Sequence, residues 1–198
     1  MKLKLGSYYA DRLNLNGDQA NIPVLAKRAA AYGLAAEVSD VFSKADLDGV
    51  DLLVIGHGSI AAWASIQGAE DFLAAVAKTG ILCLAIGSGA ERFAAANNLS
   101  VVSGERSSRF EEHHLQFGER DFELVGYANT TTTDLKSKWF GNAILTTLHG
   151  PLLAKNPEFA DWLLEEVAKR QGAGLPAKPE TLVELDALAS AARRDALR

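Results

Sequence analysis

The hydrophobic positions of this chain fall into short runs separated by longer helical patterns. Lys2 to Tyr8 alternates polar and apolar positions and reads as a first strand; a polar loop, Asp11 to Asp18, leads into an amphipathic helix from about Asn21 to Tyr32, with Gly33 as its stop. Ala35 to Val41 supplies a second short strand. The apolar run Val50 to Ile55 ends at the turn Gly56-His57-Gly58, as a buried parallel strand does. Glu70 to Lys78 places Phe72, Leu73, Val76 and Ala77 at helical spacing, Gly80 ends it, and a further apolar run reaches Ile86 before breaking at Gly87-Ser88-Gly89. Strand and helix alternating this regularly predict an α/β fold, a mostly parallel sheet with helices on both faces.

From Leu99 to Trp139 the pattern changes to short β-prone pieces, such as Asp121 to Val125, with polar tracts at Glu111-Glu112-His113-His114 and Asn129 to Thr133. This region predicts an antiparallel extension or an irregular arm. Asn142 to Leu148 returns to a strand that His149-Gly150-Pro151 breaks, and Pro157 to Gln171 is an amphipathic helix with Trp162, Leu163 and Val167 inward. The expected division is one domain over residues 1–172, then a linker and a C-terminal helix over 173–198 that packs on it or on a partner; Arg193, Arg194 and Arg198 suit that helix's C-terminal end.

Composition narrows the function classes. A chain of 198 residues fits one ordinary core. Its longest apolar stretch, Gly80 to Ile86, is far short of the ~20 residues of a membrane-spanning helix, and Met1 to Leu5 carries no signal-peptide core, so a cytoplasmic protein without a membrane span is expected. The net charge of −5 and the lack of a basic stripe argue against nucleic-acid binding. A single cysteine, Cys83, excludes an intrachain disulfide and a multi-cysteine metal site. No GxxxxGK[ST] loop and no metal-ligand spacing appears, so no cofactor is expected.

The candidate chemistry sits at strand ends. A sharp strand-to-helix bend exposes its central side chain above helix N-terminal amides that can stabilise an oxyanion; here that bend is Ile86-Gly87-Ser88-Gly89-Ala90. The G-x-S-x-G elbow is only half met around Ser88, which is a nucleophile on one reading and part of a plain turn of small residues on the other. His149 ends a strand where α/β folds place catalytic groups, although a lone histidine is more often structural, and Gly56-His57-Gly58 offers backbone N–H groups to an anion, although a routine turn explains it equally. Asp18 reads as an N-cap for the first helix. Adjacent His113 and His114 would point to opposite faces of a strand and cannot share an ion, so a solvated loop is expected there. Cys83 lies within the apolar run and is expected to be a buried, unreactive thiol.

Asp11 to Ile22 (DRLNLNGDQANI), Val50 to Ser59 (VDLLVIGHGS), Glu123 to Asn129 (ELVGYAN) and above all Thr147 to Gly172 (TLHGPLLAKNPEFADWLLEEVAKRQG) resemble the glutaminase subunits of bacterial lipid II isoglutaminyl synthases, within the CobB/CobQ-like class I glutamine amidotransferases. That resemblance implies a flavodoxin-like class I glutamine amidotransferase fold, a nucleophilic cysteine at the elbow, a histidine base, an acid and an oxyanion turn. The base maps onto His149, the acid onto Asp18 and the oxyanion turn onto Gly56, His57 and Gly58; substrate contacts map onto Arg109 and Asn129.

Three positions depart from the pattern. Gly87 stands where the family has its cysteine, His57 replaces the middle glycine of the oxyanion turn, and Asn129-Thr130-Thr131-Thr132-Thr133 replaces an Asn-His-Gly-Gly-like loop. The resulting expectation is a noncatalytic, binding or regulatory glutaminase-like subunit in cell-wall amidation, docking with a Mur-ligase-like, ATP-dependent partner. The alternatives are an amidotransferase or hydrolase that uses Ser88 with His149, and a small-ligand sensor.

Overall fold

The structure, a computed structural model, describes residues 1–197; Arg198 lies outside the described residues. A six-stranded sheet runs in the order β2-β1-β3-β4-β8-β7, from β1 (Lys2–Tyr8), β2 (Ala35–Val41), β3 (Leu52–Ile55), β4 (Leu82–Ile86), β7 (Lys138–Phe140) and β8 (Ala143–Thr146). All its pairings are parallel except that of the edge strand β7 with β8.

Period-two alternation sorts the strand side chains into two cores. Leu3, Leu5, Leu52, Val54, Leu82, Leu84 and Ile86 face the helices α1 (Asn21–Ala31) and α6 (Pro157–Arg170). Tyr8, Leu53, Ile55, Cys83 and Ala85 face α3 (Ala69–Val76) and α4 (Ser88–Ala96), which follow the short α2 (Ile60–Ala64). Fully burying one such leucine stabilises the fold by about 1.5–3 kcal/mol, so both faces contribute to a single cooperative sheet.

The arm between Leu99 and Trp139 is more regular than the sequence suggests. β5 (Ser103–Phe117) and β6 (Arg120–Thr132) form one long antiparallel hairpin, and the tract Glu111 to His114 lies inside β5, not in a solvated loop. Cross-strand pairing of Glu112 with Val125 and of His114 with Glu123 overrides the low β-propensity of the individual residues.

The expected strand Asn142 to Leu148 divides in two. β8 stays in the main sheet, while β9 (Leu148–His149) turns across to pair with β6, making a second sheet of order β5-β6-β9. The joint is polar. Thr146 Oγ1 accepts the Leu148 N–H at 3.2 Å and also bonds Ser137, so the hydroxyl takes up a donor that the ladder gives up.

After α5 (Leu152–Lys155) and α6, the last helix α7 (Glu180–Ala196) lies against the first core through Leu182. Arg28 on α1 fixes it there. Its guanidinium donates to Asp161 and to Asp186, each at 2.8 Å, and Lys178 bridges the same two carboxylates. Burial pushes the Asp186 carboxyl up, but the hydrogen bonds and charges of Arg28 and Lys178 outweigh burial and hold it below its ordinary value. Arg28→Ala leaves two mostly buried carboxylates with Lys178 as their remaining charged partner and is expected to lower the unfolding free energy by about 2 kcal/mol in urea melts. Because the Asp186 carboxyl is held down in the folded state, the network's contribution is present at neutral pH and fades as the pH drops below the ordinary carboxylate range.

Candidate functional site

β4 ends on a turn whose geometry is that of a nucleophile elbow. Gly87 adopts φ 56°, ψ −124°, the left-handed half of the map that an L side chain rarely occupies, and α4 begins at the next residue. Its N–H donates to the Thr146 carbonyl at 2.8 Å, which ties the turn to the end of β8.

No room remains for a side chain at this turn. A Cβ on Gly87 would stand 2.3 Å from His149 Cε1, 2.7 Å from His57 Nδ1 and 3.1 Å from His149 Nε2. The two imidazoles meet edge to face above it, with ring centroids 4.9 Å apart.

Asp18 holds the other side of the cluster. It is fully buried at the start of a short 3-10 turn, Asp18–Ala20, and is not an N-cap of α1: no side-chain cap bond forms there, and the helix begins three residues on. Its Oδ2 accepts the His57 N–H at 2.9 Å and faces His149 Nδ1 at 3.3 Å, and its Oδ1 accepts the Gly150 N–H at 2.9 Å. His149 is itself buried, and its Nε2, on the side facing Gly87, has no hydrogen-bond partner. Gly56 is required by the same crowding, since a Cβ there would sit 2.1 Å from the Leu13 carbonyl oxygen.

Three backbone donors around the elbow are spent internally. The Ser88 N–H donates to His57 Nδ1 at 3.0 Å, the His57 N–H to Asp18, and the Gly58 N–H to Ser88 Oγ at 3.0 Å. Accepting the Ser88 amide requires His57 Nδ1 to be unprotonated. Burial and the nearby His149 both lower the His57 pKa below its ordinary value, which favours that form.

No protein-family model matches the chain. Over 77 residues it is 34% identical to the lipid II isoglutaminyl synthase (glutamine-hydrolyzing) subunit GatD of Staphylococcus aureus, a match covering 37% of this chain and 31% of that relative, so that it spans less than a third of the relative's length. Among solved structures, a glutamine amidotransferase from Thermotoga maritima superposes with a TM-score of 0.53 at 11% identity, over 98% of this chain and 96% of that one. A protein assigned as a GMP synthase A subunit from Thermoplasma acidophilum gives 0.55 at 18% identity, over 86% and 96%. The PurLQS structure from Thermotoga maritima gives 0.51 at 13% identity, over 86% and 100%.

The fold is that of the class I glutamine amidotransferases. At these identities the superpositions speak for architecture alone. They agree with the α/β, mostly parallel flavodoxin-like plan expected from the sequence.

Of the residues singled out in the sequence, Asp18, Gly56, His57, Gly58, Gly87, Ser88 and His149 converge. Ser88 does so without reaching His149. Its hydroxyl donates to the Gly58 carbonyl at 3.0 Å and accepts from the Gly58 N–H and from Trp63 Nε1 at 2.8 Å, which uses its whole capacity.

Arg109 and Asn129 stand on the hairpin and make no hydrogen bond to the cluster. Arg109 pairs with Glu111 with its side chain 77% exposed, and Asn129 accepts from Arg106. A cavity of about 440 Å³ is lined in part by Arg109, Glu111, His113, Thr130, Thr132 and Thr147. Cys83 is fully buried, and burial pushes its thiol pKa far up, so it is no nucleophile in this state.

Two neighbours of the elbow were not legible in advance. Trp63 reaches Ser88 from α2. Glu91 on α4 accepts from Thr132 Oγ1 at 2.6 Å and from Thr130 Oγ1 at 3.3 Å, so two threonines of the Asn129 to Thr133 tract tie the hairpin to the elbow helix. Both are side-chain contacts between distant segments, which periodicity does not encode. Among the described residues, no helix is long and apolar enough to cross a membrane.

Proposed function

We propose that this chain is a glutaminase-like subunit that has exchanged covalent catalysis for a binding or regulatory role. The observation that carries the reading is the Ser88 N–H donating to His57 Nδ1 directly above Gly87. Acyl transfer at such an elbow needs a nucleophilic side chain and at least one free N–H aimed at the developing oxyanion. Here the nucleophile position carries no side chain, and the donor that follows it is filled by the protein's own imidazole. The histidine and acid of the resemblance, His149 and Asp18, stay in place as a buried pair that supports the turn.

The alternative of Ser88 acting with His149 is disfavoured, because every hydrogen-bonding site of its hydroxyl is already occupied around Gly58 and Trp63. The GatD relative is a subunit of a glutamine-hydrolysing synthase, and this likeness supports docking with a Mur-ligase-like, ATP-dependent partner in cytoplasmic cell-wall amidation.

Glutamate release from glutamine by the purified protein, alone and with a candidate ligase subunit added, tests the proposal. Release at the buffer background under every condition, together with co-elution with the ligase, is the expected result. Release above background that disappears in His149→Ala would overturn it.

A further inference from the structure

The outer face of the hairpin carries a donor set that the elbow does not use. Glu112 and His114 lie two residues apart on β5 and so project to the same side, and His114 is directly opposite Glu123 on β6. One ligand atom from each of the three side chains lies within 4.8 Å of the other two, and all three residues are exposed.

We propose that Glu112, His114 and Glu123 form a site for a divalent first-row transition metal, with Zn2+ as the fitting ion. The donor set decides the class. One imidazole with two carboxylates matches zinc-type coordination, whereas Mg2+ and Ca2+ take oxygen ligands and would leave the ring nitrogen unused. A tetrahedral ion with bonds of about 2.0–2.1 Å holds its donors roughly 3.3 Å apart. The observed spread needs only a modest closing of the side-chain ends, which two glutamates on an exposed strand face supply by rotating. Water completes the shell on the solvent side.

A second observation separates this trio from an ordinary solvated face. None of its three side chains has a hydrogen bond or an ion pair among the described residues, although basic groups reach these strands. Lys155 spends its charge over the Phe110 ring, and Arg193 bonds the Glu123 carbonyl oxygen and pairs with Glu158. Two carboxylates placed diagonally across a ladder without a cation repel, and a bound divalent ion reverses the sign of that term.

The consequence is a clasp. The ion joins β5 to β6, and β6 in turn pairs with the strand that carries His149, through Tyr127 opposite His149.

Untagged, metal-stripped protein titrated calorimetrically with ZnCl2 tests the assignment, with MgCl2 as control and thermal melts in parallel. One saturable equivalent of Zn2+, a raised Tm and no response to Mg2+ are expected. His114→Ala and Glu123→Gln, both at exposed positions, should each weaken zinc binding by more than about tenfold, since even outer-sphere partners of a metal are worth about that much. Glu119→Gln, at the hairpin tip, should bind like the parent. The proposal is overturned by the absence of a saturable zinc signal in the parent, and equally by parental affinity in His114→Ala and Glu123→Gln.

Discussion

Gly87→Cys is expected to yield a less stable protein that still releases no glutamate. Adding the Cβ drives it against His149 Cε1 and His57 Nδ1, at 2.3 and 2.7 Å, in a backbone conformation that already disfavours any side chain. Strain of this kind together with overpacking costs about 3 kcal/mol, which should appear as a lower Tm. Combining Gly87→Cys with His57→Gly removes one of the two obstructions and frees the Ser88 amide. The double variant should therefore regain part of the lost stability and react with iodoacetamide much faster than the parent, whose single thiol is buried. Parental stability and glutamine turnover in Gly87→Cys alone would show that His57 does not block the turn.

Asp18→Ala should have the larger effect on stability. Asp18 is completely buried and takes the backbone N–H groups of His57 and Gly150 while facing the His149 ring. Truncation leaves two backbone donors and an imidazole nitrogen unsatisfied in a site with little access to water. Each orphaned group costs about 1–3 kcal/mol, so a total of roughly 4 kcal/mol is expected in chemical denaturation. Asp18→Asn preserves the volume and one carbonyl acceptor and should lose less than half as much. An Asp18→Ala protein as stable as the parent would mean that water replaces the carboxylate, contrary to its burial.

The strands that build the sheet were readable because each is a short apolar run ended by glycine, and Leu52 to Ile55 and Leu82 to Ile86 are found where that pattern puts them. The turn at Gly87 was readable for the same reason. The chemistry above that turn was not, because it depends on which way the His57 side chain points. Sequence gives the residue type at position 57, but the hydrogen bond from Ser88, 31 residues away, is decided by packing. Ser88 likewise resembled half of a serine elbow until Trp63 and Gly58 were seen to enclose it. The hairpin is not encoded in local propensity, because Glu111 to His114 has little strand preference of its own and is held by its partner strand. The same tract shows where sequence reasoning stopped short. Opposite faces for His113 and His114 follow from a strand's period of two, but finding Glu123 beside His114 needs the cross-strand register.

The filled space over Gly87 also bears on how this sequence can change. A thiol acquired first meets two imidazoles, and a smaller residue acquired first at position 57 leaves the Ser88 amide without its acceptor. Either order passes through a chain less stable than its starting point, so selection for abundance alone opposes the first step whichever it is. The elbow thus works as a ratchet: drift can keep it closed indefinitely, while reopening it asks for more than one substitution, since His149 still crowds position 87 once His57 is gone.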